Sequence, residues 1–441
     1  MASGVELIEA AGLWARLEPL LPIGRGPRGT TRLAWSAEDA AAGEWFREQA
    51  AGVGLRVERD PAGNLWATPA APPPWWAMGS HLDSVREGGS FDGALGVAAA
   101  FEVAARLRER ASPATPAGES AGAGSASPAA SAPAQRGASS SPERSASASA
   151  PPIAVISLAD EEGARFNTPT FGSRALTGVL GPSVLDRVDG DGVRLADAMA
   201  AAGVDSAGLG AAPEWLSRLR GFVELHIDQT TELARAGVPA GVVRRLVSRM
   251  RLRADIEGRA DHAGTTPPAE RRDALAAAAR LIVGALDLSG GGLVATASRI
   301  EVEPNALTTV PARASVWLDA RAPEAERVDA WRAAVEKADV GLPAVFSLES
   351  RSPGCEFDPG LRSRLVALSE DVGPRAAELD CYAGHDAGLI AARLPAAMVL
   401  VRNESGVSHS PDERVELEDA ALGAELARRL LDALVAEDLA E

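Results

Sequence analysis

The sequence predicts an α/β protein with a mostly parallel sheet, helices on both faces, and a smaller inserted α+β unit. Three observations support this prediction. Short apolar runs that end in polar residues alternate with stretches of helical periodicity. Residues 240–350 instead show strand-like alternation around two helical segments. At 441 residues with 46% hydrophobic composition, the chain is long enough for two or three compact domains.

The large domain is predicted in two parts, residues 1–239 and residues 351–441. Its apolar runs, assigned to buried strands, are WWAMGSHLDS, PIAVISLA, GFVELHIDQ and AAMVLVRNESGVSHS. Residues 112–151 consist almost wholly of Ser, Ala, Pro and Gly, which cannot bury enough apolar surface to offset the entropy of ordering. We therefore expect a disordered surface insertion there, between a helix and the next strand.

The inserted unit is predicted to cover residues 240–350. Strand-like alternation is found in RLVSRMRLRADIEGRA, LVATASRIEVE and ARASVWLDARA. The segments RRDALAAAARLIVGALDL and EAERVDAWRAAVEKA have helical periodicity. A small β-rich α+β unit is the simplest account of this pattern.

Composition restricts the partners of the chain. A formal charge of -17 and a pI near 4.9 repel phosphate backbones and anionic lipid, so we expect neither nucleic acid nor a membrane surface as a partner. An anionic substrate would need local arginine or metal charge. Cys355 and Cys381 form no C-x-x-C pair, and the start of the chain lacks a basic segment followed by an apolar one. These features predict a cytoplasmic protein.

All five histidines fall in short polar segments flanked by acids or glycines, at His81, His226, His262, His385 and His409. Three of them, together with two carboxylates, lie at predicted strand ends, where open α/β sheets place ligands. The set suits two divalent ions that share a bridging Asp, with the ligands His81, Asp92, Glu162, His226 and His409. Imidazole and carboxylate ligands without thiolate allow Zn, Mn, Co or Ni.

Paired acids follow the strand in ISLADEEGARF. Adjacent carboxylates at a strand end point in different directions, so Glu162 can bind a metal while Glu161 holds or deprotonates the attacking water. Asp83 is placed to accept the other imidazole N–H of His81. Taken singly, each segment also fits a solvated turn, a pair of surface glutamates or a hydrogen-bonded strand histidine. No G-x-S-x-G serine elbow stands at a predicted strand-to-helix turn.

With these residues assembled, the chain resembles the M20 metallopeptidase clan, and within it the hydantoinase/carbamoylase branch. This branch contains N-carbamoyl-L-amino acid hydrolases, allantoate amidohydrolases and β-ureidopropionases. The resemblance covers nearly the whole chain outside residues 112–151. It rests on GSHLDSV with GGSFDG, DEEGARF with GSRALTG, ELHIDQ, HAGTTP with RRDAL, GHDAG, and GVSHSP followed by Glu413.

The resemblance implies a zinc-exopeptidase-like catalytic domain with a ferredoxin-like lid or dimerisation domain, and a homodimer. It implies that Asp92 bridges two metals, that His81 and His226 hold one, and that Glu162 and His409 hold the other. Glu161 becomes the general base and His262 a stabiliser of the oxyanion. Gln229, His385 and Arg321 are placed at the substrate, where the guanidinium suits a carboxylate.

Three positions depart from the pattern of this branch. Thr308 stands where the branch usually has Asn before V-I-P, and a hydroxyl cannot replace both groups of an amide. Asn305 compensates only if the loop shifts. Thr230 and Pro268 replace a usual Gly and Met. These changes spare the expected ligands and concern the substrate pocket.

Three functions remain open from the sequence. The first is metal-dependent hydrolysis of a small ureido acid, either an N-carbamoyl-L-amino acid or allantoate. The second is a dipeptidase or aminoacylase of the wider clan. The third is a non-catalytic binding protein, against which the intact ligand set and Glu161 argue.

Overall fold

The computed structural model describes residues 7–111 and 152–440, so the predicted insertion at 112–151 lies outside the described residues. Within these ranges the strands are β1 (Arg25–Gly26), β2 (Gly29–Thr30), β3 (Arg56–Arg59), β4 (Leu65–Thr68), β5 (Trp75–His81), β6 (Ala154–Leu158), β7 (Leu219–Ile227), β8 (Ala240–Leu246), β9 (Ser248–Glu257), β10 (Asp261–His262), β11 (Val294–Glu303), β12 (Thr309–Val310), β13 (Arg313–Ala322), β14 (Ala344–Ser352), β15 (Cys355–Glu356), β16 (Ala377–Cys381) and β17 (Ala396–Val401).

The helices of the described ranges are α1 (Ala10–Leu17), α2 (Ala37–Val53), α3 (Ala94–Ala111), α4 (Phe171–Leu176), α5 (Leu195–Ala201), α6 (Ala212–Leu216), α7 (Glu232–Ala236), α8 (Ala274–Asp287), α9 (Ala325–Glu336), α10 (Pro359–Ser369), α11 (Asp386–Ala391) and α12 (Leu417–Asp438). Side-chain caps fix several starts: Ser36, Asp273 and Asp358 accept backbone N–H groups in the first turns of α2, α8 and α10. None of these helices combines the length and apolar character needed to cross a membrane.

The large sheet has the strand order β15-β8-β17-β7-β5-β6-β4-β3. Its ninth strand, β16, also pairs with β8. Its four central strands β17, β7, β5 and β6 are parallel neighbours. The outer strands β3, β4 and β15 pair antiparallel. The predicted mostly parallel α/β sheet is therefore confirmed.

Helices cover both faces of this sheet. On one face α1, α2, α3, α10 and α12 pack against alternate strand residues such as Met78, Val223 and Val399. On the other face, side chains of α4, α6 and α11 pack against the intervening strand residues, such as Ala77 of β5 and Phe222 of β7. Because both faces are buried, the central strands read as nearly continuous apolar runs.

A second sheet has the antiparallel strand order β11-β13-β9-β14. Helices α8 and α9 cover one face through a core that includes Leu252, Leu281 and Trp331. Its main elements succeed one another as strand, helix, strand, strand, helix, strand, which is the ferredoxin-like order. Residues 248–352 are called the small unit below, and the rest of the described chain the large unit.

The strand β8 lies inside the range predicted for the inserted unit, residues 240–350, but it pairs with β16 and β17 of the large sheet. The small sheet begins at Ser248 and its last strand ends at Ser352. An apolar strand pattern cannot tell which of two sheets a strand joins. For this reason the predicted start of the inserted unit, residue 240, differs from the start of the small sheet at Ser248.

Candidate metal centre

The five expected metal ligands lie along one edge of the large sheet. His81 ends β5, His226 lies one residue before the end of β7, Glu162 follows β6, and His409 lies in the loop after β17. Asp92 closes the loop between β5 and α3. Because the four strands are parallel neighbours, their carboxyl ends meet in one crevice, which is where such sheets bind ligands.

The first ligand group consists of His81, Asp92 and His226. The Nε2 atoms of both imidazoles approach the same oxygen of Asp92, Oδ1, at 3.3 Å for His81 and 3.1 Å for His226. All three residues are buried. Each Nδ1 lies 3.0 Å from a main-chain carbonyl oxygen, that of Asp83 for His81 and that of Ile227 for His226. Nδ1 therefore donates, which leaves the Nε2 lone pairs for a metal.

The second ligand group consists of Asp92, Glu162 and His409. His409 Nε2 lies 3.3 Å from Glu162 Oε2 and 3.7 Å from Asp92 Oδ2. Asp92 thus presents one oxygen to each group, as expected of a bridging carboxylate. His409 is half-exposed and its φ of 56° lies in the left-handed region, an uncommon backbone conformation for a non-glycine residue. Such conformations persist where the surrounding structure holds them, often at functional sites.

The residues present fit divalent metal ions. His81 Nε2 and Glu162 Oε1 are buried without a hydrogen-bond partner, although buried polar atoms normally have one. Burial, and then the charge of Asp92, raises the pKa of Glu162 to about 8. Such crowding of acids is unfavourable in a buried crevice unless cations balance it. Imidazole and carboxylate donors without thiolate suit Zn, Mn, Co or Ni.

Glu161 lies beside the first group, with Oε2 3.8 Å from His81 Nε2. Its side chain is buried, and burial is the main reason why its pKa lies well above the usual range. The charges of Asp386 and Glu162 raise this pKa further, whereas His81 opposes the shift. A carboxyl that holds a proton in this position is suited to proton transfer.

Asp83 has a different contact from the one predicted. His81 Nδ1 lies 3.8 Å from its carboxylate but 3.0 Å from its main-chain oxygen. The two carboxylate oxygens instead accept the backbone N–H groups of Glu161 and Glu162, each at 3.1 Å. Asp83 therefore positions the paired glutamates. Sequence spacing placed it near His81 but could not distinguish its main chain from its side chain.

Glu413 and Ser408 belong to this site and were not assigned a role from the sequence. Glu413 is buried, and its Oε1 accepts the backbone N–H groups of Phe91 and Asp92. Ser408 Oγ donates to Asp92 Oδ2 at 2.9 Å and lies 3.3 Å from Glu413 Oε2. A Cβ at Gly89 would lie 2.2 Å from Glu413 Oε1, so only glycine allows this approach. The acid after GVSHSP was the available signal.

Gln229 and His385 also lie at the centre. Gln229 Nε2 donates to Asp92 Oδ2 at 2.9 Å. The ring of His385 is 4.4 Å from that of His226, and neither of its buried nitrogens has a hydrogen-bond partner. Burial, and then the charge of His226, holds the pKa of His385 well below its usual range, so the imidazole is neutral. Both residues line a cavity of about 230 Å³.

Arg321, in the small unit, also lines this cavity. Its Nε donates to Asp319 Oδ1, and its Nη1 donates to the main-chain oxygen of Tyr382 in the large unit. The hydroxyl of Tyr382 donates to the carbonyl oxygen of Gly292 in the small unit. Contacts between the two units therefore border the cavity.

His262, Asn305 and Thr308 lie apart from the metal centre. All three are exposed, and β10, which contains His262, pairs with β12 immediately after Thr308. His262 Nδ1 accepts the N–H groups of Gly264 and Thr265. Within the described ranges, no hydrogen bond or ion pair joins these residues to the metal-binding set. The backbone N–H of Ala263, next to His262, donates to the main-chain oxygen of Thr308, so His262 and Thr308 lie near each other at the β10–β12 pair, which is called the tip of the small unit below.

Comparison with known proteins agrees with this geometry. Residues 143–433 match the sequence profile of Peptidase family M20/M25/M40. The chain is 33% identical to an N-carbamoyl-L-amino acid amidohydrolase of Geobacillus stearothermophilus, over 95% of this chain and 97% of that protein. It is 28% identical to the allantoate amidohydrolase of Escherichia coli, over 91% and 92% of the two chains.

A solved hydantoinase/carbamoylase family amidase from Burkholderia multivorans has the same fold, with a TM-score of 0.76 and 26% identity over 97% of this chain and 98% of that one. An aminopeptidase from Bacillus cereus, at 17% identity and a TM-score of 0.62, shares the fold alone. The chain therefore belongs to peptidase family M20/M25/M40 and, within it, to the hydantoinase/carbamoylase branch of metal-dependent amidohydrolases.

Proposed function

We propose that this protein is an amidohydrolase that cleaves the carbamoyl C–N bond of a small ureido acid, either an N-carbamoyl-L-amino acid or allantoate. The observation that carries the proposal is the pair of ligand groups that share Asp92, with Glu161 beside them. The names of two relatives, an N-carbamoyl-L-amino acid amidohydrolase and an allantoate amidohydrolase, support hydrolysis of a ureido acid.

Two divalent ions are proposed, one held by His81, Asp92 and His226 and the other by Asp92, Glu162 and His409. When bound, such ions supply Lewis-acid chemistry that polarises a carbonyl oxygen and favours ionisation of water. The donors on both sides of Asp92 support this number. Zn, Mn, Co and Ni all suit the ligands.

Glu161 is the proposed general base. It accepts a proton from the attacking water as the water oxygen bonds to the carbamoyl carbon, and it passes that proton to the nitrogen as the C–N bond breaks. The raised pKa of Glu161 supports the second half of this cycle, because a buried carboxyl retains a proton until the leaving nitrogen takes it. Asp83 keeps Glu161 and Glu162 in place through their backbone N–H groups.

The remaining residues are proposed to bind and orient the substrate. Gln229 and the neutral His385 line the cavity beside the metal centre, where they can donate to and accept from a ureido group. Arg321 lines the same cavity and suits the carboxylate. Asn305, Thr308 and His262 would act only if the small unit, or a second copy of the chain, carried them to the centre.

A homodimer through the small unit is also proposed. The outward face of α8 is apolar, with Leu275, Val283 and Leu286 each more than one-third exposed, and β11 beside it is an edge strand of the described sheet. Helix α9, on the same face of the sheet, instead exposes charged residues such as Glu326. In light-scattering measurements, Val283→Glu should yield monomer, while the control Ala333→Glu on α9 should leave the dimer intact. A wild-type monomer would contradict the proposal.

The reaction is tested by ammonia release from allantoate, N-carbamoyl-L-amino acids and β-ureidopropionate, with dipeptides and N-acyl amino acids followed by amine release. Metal-loaded and chelator-treated wild type are compared. Turnover of a ureido acid that disappears with the metal supports the proposal. Cleavage of dipeptides or N-acyl amino acids alone would make the protein a peptidase or aminoacylase. Binding without turnover of any panel member would indicate a non-catalytic protein.

A further inference from the structure

The open face of the small sheet carries an unusual concentration of arginines. In the antiparallel pair of β9 and β13, Arg249 lies opposite Arg321 and Arg251 lies opposite Asp319. Directly opposed residues share one face of a sheet. The alternate residues of β9, among them Met250 and Leu252, are fully buried under α8 and α9. The arginines therefore point away from the helices.

Two of these three guanidinium groups are already paired with one carboxylate. Arg251 Nε donates to Asp319 Oδ2 at 2.9 Å, and Arg321 Nε donates to Asp319 Oδ1 at 2.8 Å. The guanidinium of Arg249, in contrast, forms no hydrogen bond or ion pair with any residue in ranges 7–111 and 152–440. Three cations thus share one anion, although like charges directly opposite each other in a sheet are destabilising.

Arg249 lies where the small unit meets the metal centre. A Cβ at Gly384 would be 3.8 Å from Arg249 Nη1, and Gly384 immediately precedes His385, which lines the cavity. Burial, and then the charges of Arg251 and Arg321, lowers the pKa of Arg249 to about 10, whereas Asp319 and Glu161 oppose this shift. A half-buried guanidinium without an ion-pair partner among the described residues is suited to bind an anion.

We propose that Arg249 binds the substrate carboxylate together with Arg321. This inference rests on the proposed function, because a ureido acid brings one carboxylate to the cavity. Arg321 has already committed Nε to Asp319 and one Nη1 hydrogen to Tyr382, so it cannot offer its complete fork. All five N–H donors of Arg249 are uncommitted, and a guanidinium binds a carboxylate through two parallel hydrogen bonds.

The arrangement also solves the electrostatic problem posed by the -17 charge of the chain. A carboxylate bound between Arg249 and Arg321 relieves their repulsion, because the three guanidinium groups then face two carboxylates instead of one. In this proposal the substrate carboxylate is the ion-pair partner of Arg249. Binding of the acid should depend on this arginine more than on charged groups farther along the same strand.

The test compares Arg249→Gln with the control Arg253→Gln. Arg253 lies on the same face of β9, next to Asp255 and Trp317, and has no role in the proposed site. The substrates are the ureido acid that wild type turns over fastest, N-carbamoyl-L-leucine in the first instance, and its primary amide. Arg249→Gln should raise KM for the acid about 10- to 100-fold, as loss of a charge-assisted hydrogen bond implies. Its kcat should change much less.

For the primary amide, which lacks the carboxylate, Arg249→Gln and wild type should have the same KM. Arg249→Lys should give an intermediate KM for the acid, because it keeps the charge but loses the fork. An unchanged KM for the acid in Arg249→Gln, or an equal rise for acid and amide, would overturn the inference while wild-type turnover left the proposed function standing. If wild type cleaved no ureido acid, the proposed function would fail first.

Discussion

The metal-binding edge of the large sheet and the tip of the small unit differ in how their expected functional residues are placed. At the edge, the Nε2 atoms of His81 and His226 lie 3.3 Å and 3.1 Å from the same oxygen of Asp92. At the tip, His262 and Thr308 are exposed, and the His262 ring accepts a hydrogen bond from the nearby backbone N–H of Gly264. Strand register fixes the first group within one sheet. The second group depends on where one unit, or one copy of the chain, lies relative to another.

The difference teaches that this centre is preorganised for metal and only partly organised for substrate. Buried donors hold the ligands: Asp92 receives hydrogen bonds from Gln229 and Ser408, and Glu413 fixes its backbone. The groups proposed to bind the substrate come from both units, with Arg249 and Arg321 on the small unit. Changes at the edge should therefore alter metal content, and changes in the small unit should alter KM.

The largest effect is expected from Asp92→Asn. The amide removes the negative charge that both ligand groups share. It also replaces one of the two carboxylate oxygens with an NH2 group, which has no lone pair available to bind a metal. We expect loss of bound metal by elemental analysis and a fall in kcat of more than about 100-fold, the upper end for groups one step beyond the ligands. Full metal content with near-normal turnover would show that Asp92 does not bridge.

A smaller effect is expected from Glu413→Gln. Among the described residues, this carboxylate has hydrogen bonds with the backbone N–H groups of Phe91 and Asp92 and with the hydroxyl of Ser408, so we expect it to act by positioning Asp92. Metal affinity should fall about 10- to 100-fold in a competition assay with a chelating dye. Glu418→Gln, an exposed residue in the first turn of α12, is the control and should retain wild-type affinity. Equal affinities for both variants would remove Glu413 from the site.

The raised pKa values of the buried acids Glu162 and Glu413 predict that the stability of the metal-free protein depends on pH. Burial raises the pKa of Glu162 to about 8 and that of Glu413 to about 7. The folded state therefore holds more protons than the unfolded state above pH of about 4.5, and its stability should fall as pH rises from about 5 to 8. Thermal unfolding of the chelated protein should show this fall. A stability that rose across this window would contradict the assigned shifts.

Much of the fold and of the ligand set could be predicted from the sequence, for a physical reason. Buried parallel strands produce apolar runs, and polar residues directly after such runs must meet at one edge of the sheet. His81, Glu162 and His226 were predicted in this way. The role of Asp83, the sheet to which β8 belongs, and the contributions of Ser408 and Arg249 depend on main-chain contacts and inter-unit packing, which local patterns do not encode.

The smallest effect is expected from shortening residues 112–151. Their composition predicts a surface linker, and the ligands of the metal centre all lie elsewhere in the chain. Replacing them with a short Gly/Ser linker should leave kcat/KM for the best ureido acid unchanged. A large loss of turnover with intact metal content would show that the segment contributes to catalysis.

The most direct test of the central claim is the rate of ammonia release by Glu161→Gln at a metal content equal to that of wild type. Glu349→Gln, an exposed substitution of the same kind, is the control. The account predicts that Glu161→Gln keeps its metal and loses about 10²- to 10⁴-fold in kcat, the contribution of a general base, while Glu349→Gln is unaffected. Turnover of Glu161→Gln at the wild-type rate would contradict it.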